Sequence, residues 1–252
     1  MVDGADAGGW SQVAEGWAEL WGSFADPARR AIIEAAAIGP GTRVLDAGCG
    51  SGEFVSLLAS LGANVVGADP APAMVALARE AGTGTGTEVV LADIEDLPFA
   101  DAAFDVATAV NALQFADDTT AAVRELARVV RPGGIVAVSN WAEAALNDID
   151  VVEAAIAQAR DDEPYPDGPL RPAGGIETAL AAGGLQVVDS GVVDVPWFAS
   201  DEVTLVRGIL LGEDADVMAS LHAVIVAAAA PFRDVQGGYV LHNSFRWAVA
   251  RV

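Results

Sequence analysis

Three glycines in five residues, at the junction of a predicted strand and a predicted helix, constrain this chain more than any other feature. The segment Val44 to Glu53 reads VLDAGCGSGE. Its apolar start, Arg43 to Ala47, has strand character, and the stretch from Glu53 to Leu61 has helical spacing. A strand running through bare backbone into a helix is how a doubly wound α/β sheet builds a ligand crevice. Gly48, Gly50 and Gly52 remove side chains, so a ligand can lie against the main chain. The following helix start offers unpaired N–H groups and partial positive charge to an anion such as an amino-acid carboxylate. A dinucleotide fingerprint needs a third glycine at position 53. Glu53 stands there instead, and a carboxylate against a pyrophosphate is a poor match.

The pattern downstream alternates. Strands are predicted at 64–68, 88–92, 104–110 and 135–139, and helices at 73–81 and 119–130. GTGTGT, Gly82 to Thr87, reads as a connector, and Arg131-Pro132-Gly133-Gly134 as a turn. Strands separated by helices imply a parallel sheet covered on both faces, with right-handed crossovers. Before this core, residues 1–9 read as a frayed tail. Trp10, Val13, Trp17, Leu20, Trp21 and Phe24 then recur at helical spacing. A second helix is predicted after Asp26-Pro27, with Asp26 as its cap. Beyond residue 145, helices are expected at 148–159, 175–182, 201–211 and 214–230. Strands are expected at 185–195 and from Tyr239 to Arg251.

Asp69 and Asp93 close the second and third predicted strands, in VVGADP and VVLADIEDLPF. A carboxylate about twenty residues past a glycine loop accepts hydrogen bonds from a ribose diol. One at the next strand end can accept from an exocyclic amine. Singly, each aspartate also reads as a turn or cap residue. In register with the glycine loop they describe sites for an amino acid, a ribose and an adenine.

VLDAGCGSGE, GADPAPAMVALARE, ADIEDLPFADAAFDV and ELARVVRPGGIVAV resemble the successive motifs of the class I S-adenosylmethionine-dependent methyltransferases of the small-molecule type, over residues 40 to 140. The resemblance implies a Rossmann-like α/β fold: a seven-stranded, mostly parallel sheet with an antiparallel last strand. N-terminal helices and a helical insertion before that strand complete it. One domain over 1–252 is expected, with a cap at 1–39, a cofactor core at 40–140 and an acceptor side at 141–252 that carries the insertion near 200–232. By position, Gly48, Cys49, Gly50 and Gly52 would line the methionine moiety, with Asp46 orienting its amine. Asp69 would hold the ribose, beside Pro70, and Met74 would pack near the adenine. Asp93 would bond the adenine amine and Ile94 the ring. Asn111 and Ala112 would face the sulfonium. Many relatives carry histidines after the fourth strand; this chain reads Asn111-Ala112-Leu113-Gln114-Phe115, so no histidine role transfers.

The cofactor implied is S-adenosylmethionine, with S-adenosylhomocysteine as product, and no metal site is read. Methyl transfer from a sulfonium needs positioning and exclusion of water more than a dedicated base. His222, one turn after Met218, is a candidate base, whereas His242 reads as structural and Cys49 as a packing residue. Trp17, Trp21, Gln114, Phe115, Trp141 and Tyr165 are candidates for an acceptor pocket, which points to an apolar or aromatic small molecule. A methyltransferase-like enzyme of cyclisation or rearrangement keeps the same motifs, as does a non-catalytic cofactor-binding partner protein. The sequence does not choose an oligomeric state.

Composition narrows the partners. Of 252 residues, 53% are hydrophobic, so disorder is excluded for most of the chain. The formal net charge is -23 and all thirteen basic residues are arginine. Such a surface repels phosphate backbones and argues against nucleic acid; coding bias towards Ala, Gly, Asp and Arg is the plainer origin of the charge. The apolar stretch near Leu221 to Phe232 is too short and alanine-rich to span a bilayer. No secretory signal is read at the N-terminus, and one cysteine rules out an internal disulfide. A cytoplasmic location is expected.

Overall fold

The computed structural model describes residues 7–82, 87–163 and 166–252. Tyr165, one of the candidate pocket residues, and part of the GTGTGT connector lie outside them. Seven strands form one sheet: β1 (Arg43–Ala47), β2 (Asn64–Asp69), β3 (Glu88–Leu91), β4 (Phe104–Val110), β5 (Val130–Trp141), β6 (Gln186–Asp194) and, last in the chain, β9 (Ser244–Arg251). Their order is β3-β2-β1-β4-β5-β9-β6. β1 to β5 pair in parallel, while β9 runs antiparallel to both β5 and β6. This is the sheet that the sequence resemblance implies. The order reverses between β1 and β4, which places a crevice at the C-terminal ends of those two strands.

Helices cover both faces because the central strands are apolar on both. On one face α2 (Asp26–Ala35), α3 (Glu53–Ser60) and α4 (Pro72–Ala81) bring Ile32, Phe54, Val55, Leu58, Val75 and Ala78 onto Val44, Val65, Val106 and Ala137. On the other, α5 (Thr119–Val129) and α7 (Gly175–Ala182) bring Val123, Leu126, Ile176 and Leu180 onto Leu45, Ala107, Val136 and Val138. Residues 92–103, between β3 and β4, form no helix. Leu97 and Phe99 fill that space, and Arg128 holds the segment by donating to the carbonyls of Leu97 at 3.0 Å and Phe99 at 2.8 Å.

A third core joins the N-terminal helix α1 (Ala7–Trp21) to α6 (Asp148–Arg160) and to an insertion between β6 and β9. The insertion holds β7 (Trp197–Ala199), α8 (Glu202–Ile209), α9 (Ala215–Ala228) and β8 (Tyr239–Leu241). Asp201 and Asp214 cap the two helices: the first accepts from Thr204 N–H, the second from Asp216 and Val217 N–H.

Four local expectations are corrected. Helix α1 begins at Ala7, inside the stretch read as a tail. Asp26 lies within the first turn of α2 and makes no cap bond there, because its carboxylate pairs with Arg29 at 2.8 Å. The segment Arg131 to Gly134 belongs to β5 as a register break opposite Phe104 and Val106. The single final strand is two, β8 and β9, since the backbone leaves the ladder at His242 and Asn243 to meet α6: Asp148 Oδ2 accepts from His242 N–H at 2.7 Å and Asn243 Oδ1 from Ile149 N–H at 3.1 Å. β7, the partner of β8, was not anticipated.

Candidate active site

The crevice at the β1–β4 switch point opens into a cleft of about 290 Å³, at the small end of the ~300–1,000 Å³ usual for ligand pockets. Its base is the glycine loop. Gly48 and Cys49 donate their N–H groups to Ala68 O at 2.7 and 3.0 Å, folding the loop back over β2. The three glycines then do different work. A Cβ at Gly48 would come within 2.3 Å of the Ala112 Cβ, so its absence lets the loop touch the end of β4. A Cβ at Gly50, whose φ is +53°, would meet nothing within 4 Å and would stand in open space. Gly52 does not line the cleft: its φ is +94° and a Cβ would sit 2.7 Å from Ala78 Cα, so it serves the packing of α3 on α4. Cys49 lies in the loop but packs its sulfur beside Gly67 and Val55, and burial pushes its thiol up.

Strand ends supply the acids. Asp69 lines the cleft and accepts from Gly50 N–H and Ala71 N–H, both at 2.9 Å, one on each oxygen. Each oxygen keeps a lone pair for a further donor. Burial nevertheless holds its carboxyl above the ordinary carboxylate range, against the pull of those two N–H bonds. Asp93 and Ile94 line the cleft at the end of β3, where Asp93 also closes a turn by accepting from Glu95 N–H at 2.9 Å. Pro70 and Met74 line it from the start of α4, Asn111 and Ala112 from the end of β4. Asn111 holds φ +55°, donates its N–H to Ser139 O at 2.8 Å, and accepts from Gln114 Nε2 at 3.0 Å.

Asp46 stands apart. It does not line the cleft but lies behind the loop, 2% exposed, accepting from Thr108 Oγ1 at 2.8 Å. Burial pushes its carboxyl up to about 7, against the opposing pull of the Thr108 bond and the Arg29 charge.

The roof is aromatic. Trp10 meets Trp17 and Phe115 edge-on, each at 5.2 Å between ring centroids, and Trp17 stacks on Trp21 at 6.0 Å. Trp10 and Trp17 pack on Ala71 and Met74, and both line the cleft with Asp69 and Asp93. Trp21 reaches deeper, stacking on Trp197 at 4.5 Å and donating Nε1–H to Gly208 O at 3.2 Å. Of the acceptor-pocket candidates, Trp17, Trp21 and Phe115 line the cleft, whereas Gln114 and Trp141 do not. Gln114 is spent on Asn111, and Trp141 is buried between Phe24 and Phe245 at 5.1 and 5.0 Å. His222 is corrected more fully. Helix α9 buries Leu221 and Ile225, which leaves the imidazole half-exposed, outside the cleft and 3.9 Å from Glu202 Oε2.

Several lining residues escaped the sequence reading, among them Ala25, Glu95, Val110, Asp117 and Arg29. Arg29, on α2, is 8% exposed and is the only cation lining the cleft among the described residues. Its Nη1 donates to Gly22 O at 2.7 Å and Asp26 Oδ1 at 2.8 Å, and Nη2 lies 3.8 Å from Glu53 Oε2. A signal was available: Arg29 sits with Ala25, Ala28 and Ile32 on the buried stripe of α2, where an arginine demands a reason.

Fold and cleft together define a doubly wound domain with a cleft at consecutive strand ends. Residues 45–138 match the family described as a methyltransferase domain. Malonyl-acyl-carrier-protein O-methyltransferase of Serratia marcescens is 38% identical over 110 residues, 44% of this chain and 42% of its own length. The chain thus matches under half the length of the curated relatives. Among solved structures, an S-adenosylmethionine-dependent methyltransferase from Aquifex aeolicus superposes with a TM-score of 0.53 at 17% identity, covering 91% of this chain and 93% of that one. The 4+2 cyclase SpnF superposes at 0.59 with 23% identity, covering 90% and 81%. Over residues 45–138 the chain is thus similar to methyltransferase domains, within a fold shared with S-adenosylmethionine-dependent enzymes.

Proposed function

We propose that the protein transfers a methyl group from S-adenosylmethionine to a small apolar or aromatic acceptor, releasing S-adenosylhomocysteine. The observation that carries this reading is the order of groups in one cleft: the bare loop at the end of β1, Asp69 at the end of β2, and Asp93 with Ile94 at the end of β3. That order fits an amino acid, a ribose and an adenine in turn. The open space at Gly50 and the free lone pairs of Asp69 suit the first two. Bound there, the cofactor would supply an electrophilic methyl on a sulfonium.

The chain's own part is positioning. The loop and Asp69 would fix the cofactor, and Trp17, Trp21, Phe24 and Val110 offer an apolar wall on which an acceptor can be held in line while water is excluded. No histidine lines the cleft among the described residues, so a proton released by the acceptor would pass to water or to a lining carboxylate. We read the chain as one domain, with the insertion closing the acceptor side. Among the described residues no helix is long and apolar enough to cross a membrane. A net charge of -23 favours a free metabolite over nucleic acid as acceptor, and we place the activity in the cytoplasm.

The test is a turnover assay with labelled S-adenosylmethionine against fractionated metabolites of the source organism, read by mass spectrometry. A product heavier by one methylene supports transfer. A rearranged product of unchanged mass would favour the cyclase reading, and cofactor binding without any turnover the partner-protein reading. Absence of calorimetric heat with S-adenosylhomocysteine on folded protein would remove the cofactor assignment.

A further inference from the structure

A side chain held in the left-handed backbone region beside a ligand cleft is an observed strain, and such strain gathers where it is used. Among the described residues, four non-glycine positions have positive φ: Ala37, Ala102, Asn111 and Asp161. Asn111 lines the cleft and the other three do not. It follows β4 directly, between Val110 of the acceptor wall and Ala112, whose methyl group fills the space a Cβ at Gly48 would take. Its backbone is pinned, because its N–H is donated to Ser139 O at 2.8 Å and buried Leu113 anchors the 3-10 turn Leu113–Phe115 that follows. Its side chain is pinned as well: Oδ1 accepts from Gln114 Nε2 at 3.0 Å. Among the described residues no group accepts from Nδ2, which is left as the open end of the amide. An amide nitrogen donates and does not accept.

Resting on the methyl-transfer reading above, we propose that Asn111 sets acceptor specificity: its Nδ2–H donates to an oxygen of the acceptor, which is therefore an oxygen-bearing apolar or aromatic molecule rather than a hydrocarbon or an ammonium. The carboxylates of the cleft, on Glu53, Asp69, Asp93, Glu95 and Asp117, offer no donor to such an oxygen. Two other lining donors are already engaged, Trp21 Nε1–H with Gly208 O and Arg29 Nη1 with Gly22 O and Asp26 Oδ1. Gln114 does not line the cleft and acts through Asn111, as a positioning residue that keeps the donor end turned outward. The amide gains and loses no proton near neutral pH, so its part is recognition of the acceptor and not proton transfer.

The test is a titration of 15N-labelled protein, saturated with S-adenosylhomocysteine, by two probes of one outline: acetophenone, and isopropylbenzene, which has a methyl group in place of the carbonyl oxygen. In wild type the side-chain NH2 resonances of Asn111, identified by their loss in Asn111→Gly, should move downfield with acetophenone and stay in place with isopropylbenzene. Glycine adopts the left-handed backbone without strain, so Asn111→Gly keeps the fold and removes the donor. It should weaken acetophenone about 3- to 10-fold, the range of one neutral hydrogen bond, and change isopropylbenzene less than about twofold. Asn111→Asp, which keeps the shape and loses the donor, should weaken acetophenone at least as much. Equal effects of Asn111→Gly on the two probes, or none on either, would overturn the assignment. So would still resonances in wild type, undiminished acetophenone affinity in Asn111→Asp, or no binding of acetophenone to the loaded wild type. Failure of wild type to take up S-adenosylhomocysteine would instead remove the methyl-transfer reading itself.

Discussion

At the scale of single residues, the three loop glycines separate what the ligand needs from what the fold needs. Gly52→Ala drives a methyl against Ala78 at a left-handed backbone position, so a loss of about 2–4 kcal/mol is expected in urea unfolding. Gly50→Ala meets no protein atom and should cost only about 1–2 kcal/mol, yet its methyl projects into the cleft and should weaken S-adenosylhomocysteine at least about tenfold. Equal losses of stability in the two variants would contradict this division. Asp46 gives a pH-dependent expectation. Its carboxyl titrates near 7 when folded and near the ordinary ~3.9 when unfolded. Between those values the native chain holds a proton that the unfolded chain has released, so this residue's contribution to stability falls as pH rises and is flat above about 7. Asp46→Asn should therefore gain on wild type by a few kcal/mol, to order of magnitude, between about pH 4 and about pH 8. Parallel pH–stability curves would show that the buried carboxyl is not the cause. His222→Ala, outside the cleft, should leave turnover within about twofold.

Elements divide according to whether local pattern or distant contact decides them. From β1 to α5 the boundaries follow periodicity and turn chemistry to within a residue or two, because each strand is apolar on both faces and each helix shows one buried stripe. The cleft's loop and acids were legible for the same reason: they sit at strand ends that the pattern defines. The break between β8 and β9 was not, since it is made by Asp148, Asn147 and Ile149, which bond to residues nearly a hundred positions away. His222 was misplaced because a helical wheel cannot say how wide the buried stripe of α9 is. Arg29 was missed because its burial depends on Gly22 and Glu53 converging from other elements. The α1 helix carries a contrast of its own. Trp21 is buried against Trp197 and Phe24, so Trp21→Ala should cost about 3–5 kcal/mol. Trp10 is half-buried, with edge contacts to Trp17 and Phe115 and packing on Ala71 and Met74, so Trp10→Ala should cost less, about 1–2 kcal/mol, while weakening cofactor affinity several-fold. Thermal melts and calorimetry on the two variants distinguish the roles.

For the whole molecule, charge is the dominant global property. A net charge of -23 makes the compact state repel itself, and most ion pairs lie at exposed or half-exposed sites where each contributes little. Raising sodium chloride from ~20 mM to ~500 mM should therefore increase the melting temperature by several degrees, as the Debye length shortens. An unchanged or lowered value would show that local pairs such as Arg43 and Arg131 on Asp105 outweigh the overall field. The two ends of α1 differ in the same global sense. Its C-terminal end is riveted to the insertion by the Trp21–Trp197 sandwich, locked from both sides by Trp21 Nε1–H on Gly208 O and Trp197 Nε1–H on Leu20 O. Its first turns lie on α4, where Trp10 and Trp17 pack on Ala71 and Met74, Ala14 is buried, and Ser11 Oγ accepts from Ala73 N–H at 3.4 Å. Held at one end by the insertion and at the other by α4, the aromatic roof is a fixed part of the domain, so any molecule entering the cleft meets a preset shape rather than one that forms around it.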